Sequence, residues 1–160
     1  MATKASDEKY MGAELHLPLS PDGQVTAYAW PLRIFPSEKW ERSVGGPTIG
    51  VQVCNEEILR WDCHAEQGHW HGGGYDRLMP PDRTIRPFPE EAETVQTQLD
   101  WAFQQIDERC KELLEEAEQG PAAQSLDPSL VKAAIAGLKA HLDKEGDLRT
   151  KAIEDNIISP

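Results

Sequence analysis

The sequence lacks the features that identify membrane, secreted and disulfide-rich proteins. It has no apolar run of the about 20 residues that a membrane-spanning helix needs. Residues 1–10 are polar and lack the apolar stretch of a secretory signal. The three cysteines form an odd number without a Cys-x-x-Cys pair, a pattern that favours reduced thiols. We therefore expect a cytoplasmic protein with no membrane segment.

Positive charge is also scarce and unevenly placed. The chain has 16 Lys and Arg against 28 Asp and Glu, a net charge of −12. Residues 1–88 carry nine basic against twelve acidic residues, a net −3, and residues 89–160 carry seven against sixteen, a net −9. Broad affinity for nucleic acid needs concentrated positive charge and is excluded. A local RNA site remains open where arginines flank the histidines, at Arg60, Arg77, Arg83 and Arg86.

The first half of the chain alternates with the period of β-strands. Four strands are predicted at residues 14–19, 24–34, 48–54 and 58–64. Ser20-Pro21-Asp22-Gly23 joins the first pair, and Asn55-Glu56-Glu57 joins the second pair. Pro18 and Pro31 lack a backbone N–H, so their strands are expected to be edge-like or bulged.

The second half changes to the period of α-helices. An apolar stripe with steps of three and four residues predicts a long helix from Glu90 to Ala117, ended by Gly120-Pro121. Asp127-Pro128 is a typical start for a second, shorter helix. The stripe on residues 90–118 is interpreted as core, with a seam between two copies of the chain as the alternative.

These patterns together predict an α+β fold. We expect a small antiparallel β-meander of about four strands, packed by one long and one shorter C-terminal helix. The predicted organisation is a flexible N-terminus at 1–10 and a single domain at 11–144. That domain has a β-rich half (11–88) and a helical half (89–144), and a polar tail follows at 145–160.

Histidine is concentrated in residues 60–71, which read Arg-Trp-Asp-Cys-His-Ala-Glu-Gln-Gly-His-Trp-His. Imidazole is the side chain best suited to acid, base or metal-ligand chemistry near neutral pH. Residues two apart on a strand share a face, so Arg60, Asp62 and His64 should lie together, and so should His69 and His71. A tight bend at Gly68 would bring the two groups into one site.

Two chemistries fit such a site, and a third interpretation involves none. Zinc or another divalent transition metal would be held by His64, His69, His71 and Asp62. Metal-free acid–base catalysis on RNA would instead use His64, His69, His71, Arg60 and Tyr75, with Trp61 and Trp70 stacking a base. In the third interpretation the segment is a polar hairpin edge whose histidines are exposed or satisfied by hydrogen bonds.

The order Arg60-Trp61-Asp62, His64, Gly68, His69-x-His71, followed by a long helix, resembles the small TumE-like proteins of bacterial toxin–antitoxin loci. Trp61 stands where that family usually has Tyr. The resemblance implies a compact sheet-plus-helix protein encoded beside a partner that binds it, and a toxin-like role that could involve RNA. The positions matching the family motif are Arg60, Asp62, His64, His69 and His71.

The leading hypothesis from the sequence is a toxin-like cytosolic protein with a histidine-centred site, acting as a ribonuclease or metal-dependent hydrolase. The alternative is a non-catalytic interaction module whose acidic helical surface binds another protein. In either case the expected protein partner is antitoxin-like or the product of a neighbouring gene.

Overall fold

The computed structural model describes residues 9–35, 42–73 and 85–160. Within these residues the fold is α+β, as predicted, and its strands form one antiparallel sheet. The strands are β1 (Lys9–Met11), β2 (Leu15–Pro18), β3 (Val25–Phe35), β4 (Val44–Val53), β5 (Glu56–Asp62) and β6 (His69–His71). The helices are α1 (Val95–Glu116), α2 (Gly120–Ser125), α3 (Pro128–Glu145) and α4 (Leu148–Glu154).

The sheet has the order β1-β3-β4-β5-β6, and β2 pairs with β3 on the same edge as β1. The described residues thus contain six strands where about four were predicted. The additional strands, β1 and β6, are each three residues long; no sequence pattern indicates β1, and only the same-face pair His69 and His71 indicates β6. In β3 the pairing with β4 is interrupted between Trp30 and Arg33, where the expected irregularity at Pro31 occurs.

The turn between β4 and β5 is tighter than predicted. It consists of Cys54 and Asn55, whose φ angles are 50° and 68°, rather than Asn55-Glu56-Glu57. Positive φ at both central residues is typical of a type I′ turn, which matches the twist of the paired strands. Glu56 and Glu57 therefore belong to β5.

The two faces of the sheet differ in chemistry. One face is apolar and packs against α1 and α3, with Ile49, Leu59 and Trp61 fully buried in the core. The opposite face carries aromatic and charged side chains that are also buried, among them Tyr28 and Arg60. Apolar burial is the main source of folding free energy, so the packing of the apolar face against the helices stabilises the sheet. The sheet in turn positions the side chains of the charged face.

The helices follow the predicted order with different ends. Helix α1 begins at Val95 because Thr94 and Thr97 form a capping box, whereas Glu90 was predicted as its start. Gly120-Pro121 does follow the long helix, but it opens the short helix α2. Asp127 caps α3 as expected, accepting hydrogen bonds from the backbone of Ser129 and Leu130.

The apolar stripe of α1 lies in the core of this chain rather than at an open seam. Leu99, Phe103, Ile106 and Leu113 are each at most 8% exposed and belong to the main core cluster. The second expectation for this stripe, a contact between two copies, therefore has no support from the packing. None of the helices in the described ranges has the length and apolarity needed to cross a bilayer.

The segment predicted as a polar tail, 145–160, is partly folded. It contains α4, and Ile158 beyond that helix is fully buried. Ser43 and Ile158 form a parallel β-bridge, which ties the end of the chain to the start of β4. At the other end, β1 begins at Lys9, inside the segment predicted as flexible.

Candidate metal centre

Two adjacent strands bring the predicted site residues together. β5 pairs with β6 in antiparallel register, so that Asp62 lies opposite His69 and Arg60 lies opposite His71. Because alternate residues of a strand share a face, all four side chains project from the charged side of the sheet. Trp61 and Trp70, which pair between them, project to the apolar side.

Asp62, His69 and His71 form a group that we call the Asp-His-His triad. Asp62 Oδ2 lies 3.2 Å from His69 Nε2 and 3.9 Å from His71 Nε2. One ligand atom from each of the three residues lies within 4.8 Å of the others, as a shared metal ion requires. The two imidazole rings meet edge to face, with centroids 5.0 Å apart.

The Asp62 carboxylate is fully buried and held from several sides. Thr48 Oγ1 donates a hydrogen bond of 2.8 Å to Oδ1, and Arg60 Nε donates one of 3.0 Å to Oδ2. Burial alone would raise the pKa of this carboxyl, but Arg60 and His69 hold it well below its usual value. Asp62 is therefore ionised, and Oδ2 is the oxygen that faces both imidazoles.

His69 is the most exposed member of the triad, with 21% of its side chain accessible. Its Nδ1 lies 3.0 Å from the carbonyl oxygen of Gln67, which fixes Nδ1 as the protonated donor and directs Nε2 at Asp62. Burial lowers the pKa of His69, but the hydrogen bond and charge of Asp62 outweigh it and raise the pKa overall. His69 is thus the side from which a ligand would reach the triad.

His71 is buried and meets Arg60. Arg60 Nη2 lies 3.2 Å from His71 Nε2. A guanidinium group has only donors, so Nε2 must be the acceptor and His71 is neutral at that nitrogen. The lone pair of His71 Nε2, which a metal would need, is directed at Arg60.

A further set of buried charges supports Arg60 and was not predicted from the sequence. Arg60 Nη1 lies 3.6 Å from Glu57 Oε2, and Arg33 Nη1 lies 3.8 Å from Glu57 Oε1. Tyr28 OH also donates to Glu57. Strict alternation would place Glu57 on the face opposite Arg60, but a bulge between Val51 and Gln52 in the β4–β5 pairing puts them on one face.

The bend that leads into β6 depends on a helix side chain. Residues 65–67 form a 3₁₀ turn, and Gln98 of α1 binds both the N–H and the carbonyl of Ala65, at 3.0 and 2.9 Å. Gly68 has extended angles, φ −66° and ψ 143°, so it is not itself the tight bend that was predicted. Glycine is needed for space, because a Cβ at this position would lie 2.5 Å from Gln98 Oε1.

His64 does not join the triad, and its prediction as a metal ligand and catalytic residue is not supported. Its ring packs against Phe35, with centroids 5.2 Å apart, and against Gly46. The side chain is fully buried, and neither ring nitrogen has a hydrogen-bond partner within the described part of the chain. Burial lowers the pKa of His64 to about 3, so it is neutral.

The other predicted site residues lie either outside the described residues or in the core. Tyr75, Arg77 and Arg83 lie outside the described residues. Trp61 and Trp70 stack on each other at 6.0 Å in the core, where they cannot stack an unpaired base. The three cysteines are free thiols, as expected.

Comparison with known proteins gives a family but no activity. A family described as "Domain of unknown function (DUF7700)" matches residues 32–142, more than half of the chain and the whole of the triad. No curated protein and no solved structure matches the chain. The chain belongs to the DUF7700 family.

Proposed function

We propose that this protein binds one divalent transition-metal ion through the Asp-His-His triad and serves as a metal-dependent hydrolase. The observation that carries the proposal is the convergence of Asp62 Oδ2, His69 Nε2 and His71 Nε2, at 3.2 and 3.9 Å from carboxylate to imidazole. Two ligands bound about 2.0 Å from a tetrahedral ion are themselves about 3.3 Å apart. The spacings within the triad are therefore close to those around zinc or a similar ion, which could bind once Arg60 releases His71 Nε2.

The surroundings of the ligands support the same proposal. Metal-binding histidines generally donate their second N–H to a carbonyl or carboxylate, and ligating carboxylates are themselves hydrogen-bonded. Here His69 Nδ1 donates to the carbonyl of Gln67, and Asp62 Oδ1 accepts a hydrogen bond from Thr48. Both contacts leave the proposed ligand atoms, His69 Nε2 and Asp62 Oδ2, facing each other at 3.2 Å.

Three protein ligands leave coordination positions open for water and substrate. Such open sites are typical of catalytic rather than structural zinc centres, which are closed by four protein ligands. Two nitrogens and one carboxylate oxygen also suit iron(II). The metal would polarise a bound substrate and activate water for hydrolysis, with access across the partly exposed His69.

The direct test is the metal content of purified protein, measured by mass spectrometry after loading with zinc and removal of excess metal. We expect one ion per chain in the wild type and less than a tenth of that in His69→Ala and His71→Ala. His16→Ala is the matched control, since His16 lies on β2 beside Tyr28 and Glu14, outside the triad. Equal metal content in all four proteins would overturn the proposal.

A second candidate is metal-free acid–base cleavage of RNA, and the contact between Arg60 Nη2 and His71 Nε2 favours it. His69, whose pKa is raised, would act as the general acid, and His71 would act as the general base once Arg60 releases its Nε2 lone pair. Arg60 would stabilise charge on the phosphate. RNA cleavage that survives a strong chelator would support this candidate, whereas cleavage restored only by added metal would support the first.

The toxin-like role is also a proposal, supported by the resemblance in residues 60–71. We expect expression in bacteria to slow growth and degrade cellular RNA, and His69→Ala to relieve both effects. The protein-interaction alternative stays a prediction. Its proposed surface consists of Glu112, Glu115, Glu116 and Glu118, of which Glu112 and Glu116 pair with Arg109. Partner capture that survives charge reversal of these four glutamates and truncation of α3, the second predicted helix, would count against that surface.

A further inference from the structure

The guanidinium of Arg60 already contacts two of the atoms that the proposed metal would bind. Arg60 Nε and Nη2 contact the two atoms that the metal would also use, Asp62 Oδ2 at 3.0 Å and His71 Nε2 at 3.2 Å. A metal cannot take the His71 lone pair while Arg60 donates to it. Binding of the metal must therefore separate Arg60 from His71.

The separated guanidinium would stay beside the metal. Glu57 Oε2 lies 3.6 Å from Arg60 Nη1, and Glu57 is itself held by Arg33 and Tyr28. Moving this deeply buried side chain away from the site would break its ion pair with Glu57 Oε2 and leave Arg33 to face the carboxylate from the Oε1 side. Arg60 would instead turn its remaining donors toward the open coordination positions.

The charges of the cluster then favour an anion. Arg33 and Arg60 balance Glu57 and Asp62, so this group of four is neutral before a metal enters. A divalent ion adds two positive charges in a buried site, where charge is poorly screened. A planar guanidinium matches the paired oxygens of a phosphate or carboxylate, and two-point binding to such groups is its strongest interaction.

We infer that Arg60 is the anion-binding partner of the metal: the ion replaces Arg60 on Asp62 and His71, and the guanidinium then holds an oxyanion that also binds the metal. A phosphate ester, unlike a carboxylate, carries its hydrolysable bond on the oxyanion itself, so the substrate class is a phosphate ester rather than a neutral amide or ester. This inference rests on the proposed metal site. Without an oxyanion, Arg60 should lower the affinity of the site for the metal. With an oxyanion bound, Arg60 should raise that affinity.

The test uses cobalt(II) as the metal, because its visible absorption reports binding directly, and inorganic phosphate as the anion. In the wild type, phosphate should tighten cobalt binding by at least about fivefold, and cobalt should tighten phosphate binding by the same factor. Chloride at equal ionic strength is the control anion. Cobalt binding without any effect of phosphate overturns the inference and leaves the metal site standing.

Arg60→Gln separates the two effects of the guanidinium. It should bind cobalt alone at least about fivefold more tightly than the wild type, because the competitor is gone, and should lose the effect of phosphate. Arg109→Gln, an exposed arginine on α1, is the matched control and should behave as the wild type. Arg60→Lys keeps the positive charge but loses the planar guanidinium that binds an anion at two points. In this variant phosphate should tighten cobalt binding less than in the wild type.

Three results would contradict the inference. A phosphate effect of unchanged size in Arg60→Gln or Arg60→Lys assigns the anion to another group. Weaker cobalt binding in a folded Arg60→Gln shows that Arg60 supports the metal rather than competes with it. Absence of cobalt binding to the wild type overturns the proposed function together with this inference.

Discussion

The Asp62 carboxylate and the His69 imidazole lie directly opposite each other on β5 and β6, with Oδ2 3.2 Å from Nε2. Thr48 on β4 orients the carboxylate through Oδ1, and the carbonyl of Gln67 orients the imidazole through Nδ1. Three neighbouring strands, β4, β5 and β6, therefore set the geometry of the site. Strands and helices position the side chains of a binding site more precisely than loops do.

Removing the hydroxyl of Thr48 should weaken metal binding without altering the ligands. Thr48→Val keeps the shape of the side chain but leaves Asp62 Oδ1 without this donor. Loss of a hydrogen bond to a ligand typically costs about 10–100-fold in metal affinity. Thr26→Val, on the neighbouring strand β3, is the control and should change the affinity little. Equal affinities for the two variants would show that Thr48 does not orient the carboxylate.

Adding a methyl group at Gly68 should disturb the bend before β6. The Cβ of Gly68→Ala would lie 2.5 Å from Gln98 Oε1 and force Gln98 away from Ala65. We expect a loss of about 1–3 kcal/mol in the free energy of unfolding, measured by urea denaturation, together with weaker metal binding. Gly120→Ala is the control, because nothing lies within 4 Å of a Cβ there.

A second substitution identifies the cause of that loss. In the Gln98→Ala background the clash at position 68 is absent, so adding Gly68→Ala should cost less than it does in the wild type. Additive costs would mean that Gly68 is required for a reason other than the space occupied by Gln98.

His64 should make the protein less stable in mild acid. Its pKa is about 3 in the folded state, because of burial, against about 6.5 when unfolded. Above pH 6.5 both states are neutral, and below it only the unfolded state gains the proton, so stability falls as pH falls from 6.5 toward 3. Between pH 6.5 and 5 this group alone should remove about 2 kcal/mol of the free energy of unfolding.

His64→Leu cannot take up that proton, and its unfolding curve should lack this part of the pH dependence. Denaturant unfolding of both proteins at several pH values isolates the effect, since the other titrating groups are common to both. Parallel stability curves for the two proteins would show that His64 takes up a proton as readily in the folded as in the unfolded state.

The three thiols should differ sharply in reactivity. Cys54 is exposed in the turn between β4 and β5, whereas Cys63 and Cys110 are buried. Burial raises the pKa of the Cys110 thiol to about 12 and that of Cys63 well above its ordinary value. Iodoacetamide followed by mass spectrometry should label Cys54 rapidly and the other two only after denaturation. Fast labelling of Cys110 in native protein would contradict the described packing of α1.

Sequence patterns predicted the site where regular periods determine it. The His69-x-His71 and Arg60-x-Asp62 spacings place each pair on one face of a strand, and the structure confirms both placements. The α+β class and the cap of α3 at Asp127 also follow from local patterns. These features depend on residues close in sequence, whose geometry the strand and helix periods fix.

The parts that sequence could not predict depend on contacts between distant residues or on irregular pairing. His64 follows the strand period, but β5 ends at Asp62 and its ring packs against Phe35 instead. Glu57 reaches the Arg60 side only because of a bulge. The space required by Gln98 at Gly68 joins two segments of the chain that no local pattern links.

The most direct test of the account is calorimetric titration of metal-free protein with zinc, for the wild type and for Asp62→Asn. We expect one ion per chain in the wild type, with micromolar or tighter affinity, and a loss of at least about a hundredfold in Asp62→Asn, whose amide is neutral and a poor zinc ligand. Circular dichroism should show that both proteins are folded. Equal zinc binding by the two folded proteins, or no binding by the wild type, would contradict the Asp-His-His triad as a metal centre.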